Sequence, residues 1–352
     1  AKNEQVAINT GVALLHHMMY AQAEMFFKEW INKSPDCAMF YWGYSMSLFH
    51  PLWPDKITTD GLKKGQAAIK KAAELSQSKR EQDYINAASS YYKNWQHTAD
   101  KQRVAAWAKA QKQVFQEYPN DIDAVAFYAL SELSIAPKND VTFSQQKMAG
   151  ELLRKIFVKH PTHPGGIHYS IHAYDNPILA ELADDVAKAY GKIAPDVPHA
   201  LHMPSHVYVR MGNWNEVVAW NIRSAKAALK YPTENVTSMH YIHAIDYLVY
   251  GYMQADNAAG AANAFNGVKP HHPIQATFPA AYALSTIPAR LALESHNWQQ
   301  ASQLNTRHPR YFDWDKFPQV EAITYFARGL GAAKMNDLPA AQARSANAKR
   351  AW

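Results

Sequence analysis

A single cysteine, Cys37, occurs in the 352 residues. That excludes an intramolecular disulfide and any zinc or iron–sulfur centre built on thiolates, and it leaves the redox compartment open. Long apolar runs are missing too. No stretch approaches 18 uninterrupted apolar residues, so no membrane-spanning helix is expected. The chain has no basic stripe: its 36 Lys and Arg are interspersed with 30 Asp and Glu, for a net charge of +6 and a pI near 9.0. Such mixing describes a solvated surface rather than a nucleic-acid footprint. Even the densest basic segment, Lys63 to Arg80, contains Glu74 and reads as an exposed helix face. No Gly-x-Ser-x-Gly elbow is present, and Cys37 sits in a turn beside bulky apolar residues, which argues against a nucleophilic hydrolase. The sequence opens on Ala1 rather than Met and shows no basic-then-apolar run. That fits a processed periplasmic or secreted protein as well as a trimmed cytoplasmic one. The last residues, Arg350-Ala351-Trp352, read as part of an unfinished helix, so the natural chain is expected to extend past Trp352.

Strand-like alternation is nearly absent, whereas apolar residues three and four apart recur throughout. The periodicity predicts helices over Val6–Ile31, Gly61–Ser76, Lys101–Glu117, Glu181–Ile193 and Asn215–Lys230. Proline-centred turns punctuate them at Ser34-Pro35-Asp36, Tyr118-Pro119-Asn120, His160-Pro161, Ala194-Pro195-Asp196 and Tyr231-Pro232-Thr233, because proline cannot continue a helical hydrogen-bond ladder. Pro161 to Pro195 is 34 residues and Pro195 to Pro232 is 37, with an elongated loop leading to Tyr241. Small residues fall where paired helices must approach: Ala23 before Phe27 and Trp30, Ala183 before Ala187 and Tyr190, Ala261 before Phe265, and Ala301 after Trp298. A solenoid of such pairs can run the whole length, residues 1–352, as one array.

Against that frame, seven side chains recur at helix-face spacing: His168, His172, His199, His202, His206, His243 and Asp246. His168 to His202 and His172 to His206 are each 34 residues apart. Aligned on the prolines, Gly165, His168 and His172 form one set, His199, His202 and His206 the next, and His243, Asp246 and Val249 the third. Offsets of three and four put each set on one helix face. Many imidazoles collected in one groove without an ion would leave donors and acceptors unsatisfied at about 1–3 kcal/mol each. A transition metal is therefore expected, one or two ions per chain. Imidazole suits copper, zinc and iron alike. His199, His243 and Asp246 would serve a two-His-one-carboxylate iron, and residues in excess of one ion's needs would form supporting contacts.

Other positions carry plainer expectations. Asp175 is a turn residue, His240 an exposed loop residue, Met203 and Met239 packing. Isolated His97, His296 and His308 are expected in the core. His16 and His50, again 34 apart, are expected to pack or touch a ligand, with His17 adjacent. The run Phe40-Tyr41-Trp42-Gly43-Tyr44 is expected to join repeats. Arg290 falls on the groove side and would suit an anion, and Pro288 should kink its helix.

The 34-residue period and its small and large residues resemble the tetratricopeptide repeat. The strings Pro35-Asp36-Cys37-Ala38-Met39, Tyr41-Trp42-Gly43, His163-Pro164-Gly165-Gly166-Ile167-His168-Tyr169, Ile171-His172-Ala173-Tyr174-Asp175, and Pro198-His199-Ala200-Leu201-His202-Met203-Pro204-Ser205-His206 through Arg210-Met211-Gly212 are similar to a largely uncharacterised bacterial branch of that superfamily. The resemblance covers about nine-tenths of the chain. It implies an all-α, right-handed superhelix of helical hairpins whose first helices line a concave groove, and it implies no particular reaction. Two functional classes follow: a metal-binding protein or metalloenzyme, and an adaptor that grips a peptide, a small molecule or a partner protein in the groove without metal.

Overall fold

The computed structural model describes residues 2–53, 57–230, 236–268 and 273–351. Among these the architecture is all-helical. No strand forms, and the only pairing of that kind is an isolated bridge between Thr237 and Ile274. No helix is long and apolar enough to cross a membrane. The Tyr231-Pro232-Thr233 turn lies outside the described residues.

The helices group into two compact units, residues 1–193 and 194–352. In the first run α1 (Lys2–His16), α2 (Tyr20–Lys33), α3 (Ala38–Leu48), α4 (Thr59–Leu75), α5 (Lys79–Tyr92), α6 (Asp100–Glu117), α7 (Ile122–Ile135), α8 (Ser144–Lys159), α9 (Pro164–Tyr174) and α10 (Asp184–Ile193). The second contains α11 (Pro198–His202), α12 (Pro204–Met211), α13 (Trp214–Lys230), α14 (Met239–Gln254), α15 (Ala258–Asn266), α16 (Phe278–Glu294), α17 (Trp298–Ser302), α18 (Glu321–Lys334) and α19 (Leu338–Ala351). Most successive helices pack on one another. Ala23, Ala183, Ala187, Ala261 and Ala301 are fully buried, so these small residues do lie inside packed surfaces. Phe40 and Trp42 are buried as well. A Cβ on Gly43 would come within 2.2 Å of the Phe27 ring, so only glycine admits α3 this close to α2.

Four of the five sequence-derived helices appear nearly as expected, the one over Glu181–Ile193 opening with a 3-10 turn at Ala180–Ala183. The fifth is corrected. Val6–Ile31 is not one helix but two, because the chain turns at His17-Met18-Met19 with Met18 in the left-handed region at φ 52°. Neither glycine nor proline marks this turn. The cost of that conformation, about 1–3 kcal/mol, is offset by complete burial of Met18, whose sulfur accepts a hydrogen bond from Trp53 Nε1–H at 3.1 Å. The turn matters because it drops His16 and His17 into the interior of the first unit, where α1 packs on α9.

Local signals position the histidine-bearing helices. His163 caps α9, its Nδ1 accepting from Gly166 N–H, with Pro164 in the first turn. Proline tolerates that place because the first N–H groups of a helix have no intrahelical partner. Pro198 and Pro204 likewise begin α11 and α12, so Pro204 divides what would otherwise be one helix while keeping Met203 helical at φ −55°, ψ −38°. Gly212, at φ +72°, ends α12.

Candidate metal centre

In the second unit, His202 closes α11, His206 lies one turn on in α12, and His243 faces them from α14. One ligand atom from each lies within 4.8 Å of the other two. Nδ1–H of the buried His202 donates to Oδ1 of Asn221 at 2.8 Å, and Asn221 is itself held by donating from Nδ2 to the Val217 carbonyl. That anchor leaves the His202 Nε2 lone pair directed at His206, with Nε2 to Nε2 3.0 Å. Nδ1 of His243 is buried and has no hydrogen-bond partner among the described residues. Burial first, and then the neighbouring His243 and His206, push His202 well below the usual imidazole range. Burial likewise takes His243 down to about 3. His202 and His243 are therefore neutral at ordinary pH, the form in which an imidazole ligates a metal. Neutral nitrogens, one fixed in its ligating tautomer and one left unmatched, fit a transition ion.

His199, in α11, lies 6.2 Å from His202 and 5.1 Å from His240 between ring centroids. His240 is not an exposed loop residue. It sits in the first turn of α14, buried, with its pKa pushed down to about 4.

Asp246 is on α14 with His243, but no group of close ligand atoms among the described residues includes it. Its carboxylate accepts from Arg290 Nη1 at 2.6 Å, and the guanidinium also covers the Tyr250 ring at 4.7 Å. Arg290 thus serves Asp246 rather than an external anion, and Pro288 lies within α16.

The first unit repeats part of this logic. Nδ1–H of His168 donates to the His16 carbonyl at 2.6 Å, one of the carbonyls left over at the end of α1. Its Nε2 lies 3.2 Å from Nε2 of His172, one turn along α9. Asp175 follows as the C-terminal cap of α9.

A second group in this unit was not foreseen. His16, Asp123 and His163 also bring ligand atoms within 4.8 Å of one another. Asp123 Oδ1 accepts from Nε2–H of His16 at 2.9 Å and of His163 at 3.1 Å. Tyr169 Oη–H donates to His16 Nδ1 at 3.0 Å, and Gly166 N–H donates to His163 Nδ1 at 3.2 Å. All four imidazole nitrogens are thus matched. Burial lowers His16; burial pushes the Asp123 carboxyl up, but the two imidazole hydrogen bonds outweigh it and hold the group ionised. This circuit is complete without an ion. His50, which shares its 34-residue spacing with His16, lies elsewhere, stacked on Tyr20 at 4.4 Å.

His97, His296 and His308 are exposed rather than in the core, while Met203 and Met239 are buried packing. A cavity of about 920 Å³ in the second unit is lined by Phe265, Leu284, Gln303 and Tyr311 among others, and includes His308 but none of the clustered imidazoles. Chemistry rather than cavity size marks the candidate centre. Asp123, His163, Asn221 and Tyr247 escaped sequence reasoning. A capping side chain before a proline, as in His163-Pro164, is a helix-start signal that could have drawn attention to His163; the others carry no local signal.

The chain matches no protein-family model, and no curated protein matches it in sequence.

Proposed function

We propose that this protein binds a transition metal through His202, His206 and His243, on a tetratricopeptide-like array of helical hairpins. The observation that carries the reading is the facing Nε2 atoms of His202 and His206 at 3.0 Å, with Asn221 holding the other nitrogen of His202. With no ion bound, a neutral His206 in its Nε2–H tautomer would donate to His202 Nε2; exchanging that one proton for a cation leaves both nitrogens as ligands at a spacing that bonds of about 2.0–2.1 Å to one ion can span. Packed successive helices, buried alanines at close approaches and the 34-residue interval support the repeat architecture.

His168 and His172 offer a two-imidazole seat of the same design in the first unit, giving one or two ions per chain. Copper, zinc and iron all suit neutral imidazole. The two-His-one-carboxylate iron arrangement over His199, His243 and Asp246 is disfavoured, because Arg290 occupies the carboxylate. An ion with an open coordination position would supply Lewis acidity or an activated water. The protein's own part is to hold three imidazole nitrogens in place and limit the access of bulk water to them.

Elemental analysis of protein purified without added metal tests the proposal, followed by titration with copper, zinc and iron salts. We expect close to one or two equivalents, with occupancy falling far more in His202→Ala than in His308→Ala. Less than about 0.1 equivalent with no uptake of any of the three would return the groove to the metal-free adaptor reading, and equal losses in the two variants would remove His202 from the site.

A further inference from the structure

Two pairs of rings with the same four-residue spacing face each other in the second unit. His202 and His206 form one pair; His243 and Tyr247, on α14, form the other. The Tyr247 ring centroid lies 4.5 Å from His202, 5.2 Å from His206 and 5.3 Å from His243. His202 in turn lies 4.9 Å from His206 and 4.4 Å from His243. One phenol therefore touches every imidazole of the metal centre.

We propose that Tyr247 is the fourth donor of this centre and binds the ion through its phenolic oxygen, an inference that rests on the metal-binding reading above. Three imidazole ligands bring no negative charge and leave the whole charge of a divalent or trivalent ion uncompensated in a largely buried site, which is costly. The adjacent carboxylate, Asp246, is neutralised by Arg290. The phenol of Tyr247, whose ring lies against all three imidazoles, supplies an oxygen that can become anionic. As the oxygen–metal bond forms the O–H bond breaks, and its proton leaves to solvent, to which the half-buried Tyr247 is open. An anionic oxygen beside three nitrogens favours oxidised ions, Cu²⁺ or Fe³⁺, over those that prefer sulfur.

The test loads metal-free full-length protein with Cu²⁺ and, separately, with Fe³⁺, measuring bound metal by elemental analysis and the donor set by visible absorption and resonance Raman scattering. We expect a phenolate-to-metal charge-transfer band and tyrosinate vibrations in the unaltered protein. Tyr247→Phe, which removes only the hydroxyl, should still take up metal through the imidazoles, about tenfold or more weakly, and should lack both signatures. Stoichiometric uptake without these signatures in the unaltered protein would overturn the phenolate donor and leave the three-imidazole reading standing. Signatures that persist in Tyr247→Phe would likewise remove Tyr247 as donor. No uptake of either ion by the unaltered protein would overturn both.

Discussion

Nδ1 of His202 donates to the side-chain oxygen of Asn221 at 2.8 Å, from a helix 19 residues further along the chain. This single bond fixes which nitrogen of His202 is free to ligate. A hydrogen bond of this kind orients the ring and raises its basicity.

Replacing Asn221 by Leu should therefore weaken metal binding by about 10–100-fold while the helical content stays intact. Isothermal titration of the variant with copper or zinc reads this directly. An unchanged affinity would mean that the orientation of His202 is set by packing alone.

Asp246→Ala should leave metal uptake within about twofold of the unaltered protein and lower the free energy of unfolding. Removing one partner of a buried ion pair costs about 3–5 kcal/mol. The low end is expected here because Glu294 lies 3.8 Å from the same guanidinium. Urea unfolding followed by circular dichroism, beside elemental analysis, separates the two effects. Metal lost with unchanged stability would restore Asp246 to the ligand set.

Chelation should leave the far-ultraviolet helical signal nearly unchanged, since the helices bury their apolar faces against one another without an ion. The midpoint of thermal unfolding should nevertheless fall by several degrees and recover when the correct metal is restored. A ligand that binds only the folded state, at a hundred times its Kd, stabilises it by about 2.7 kcal/mol. Complete loss of helix on chelation would instead make the metal a requirement for folding.

His17 is buried with its Nδ1 2.9 Å from the Tyr190 hydroxyl, and burial pushes its pKa down from 6.5 to about 4. Between those values the unfolded chain binds the proton and the folded protein does not. The stability contribution is thus fully present above pH 6.5 and is lost as the pH falls toward 4, about 3 kcal/mol for this one group. Unfolding free energies measured with chelator from pH 7.5 to 4 should show that loss. His17→Phe, which retains a ring against Tyr190, should show a shallower decline over the same window. Parallel profiles would exclude His17 as a contributor.

Helix positions and the candidate ligand residues were legible in the sequence because they depend on short-range periodicity. The proline turn Tyr118-Pro119-Asn120 ends α6, and the four-residue spacing of His168 with His172 and of His202 with His206 is a property of any helix. The break at Met18 was not legible, since its left-handed conformation is stabilised by burial against residues distant in sequence. Partner choice was decided by tertiary packing alone. Asp246 sits three residues from His243, as a ligand would, yet a guanidinium 44 residues away captures its carboxylate. His16 and His50 repeat at the same 34-residue interval as His168 and His202, yet the partner of His16 is Asp123, 107 residues on. Spacing along one helix establishes which side chains share a face. Only the packing of a second helix determines whether that face meets an imidazole, a phenol or an opposite charge, because hydrogen bonds and ion pairs form over about 3 Å whatever the separation along the chain.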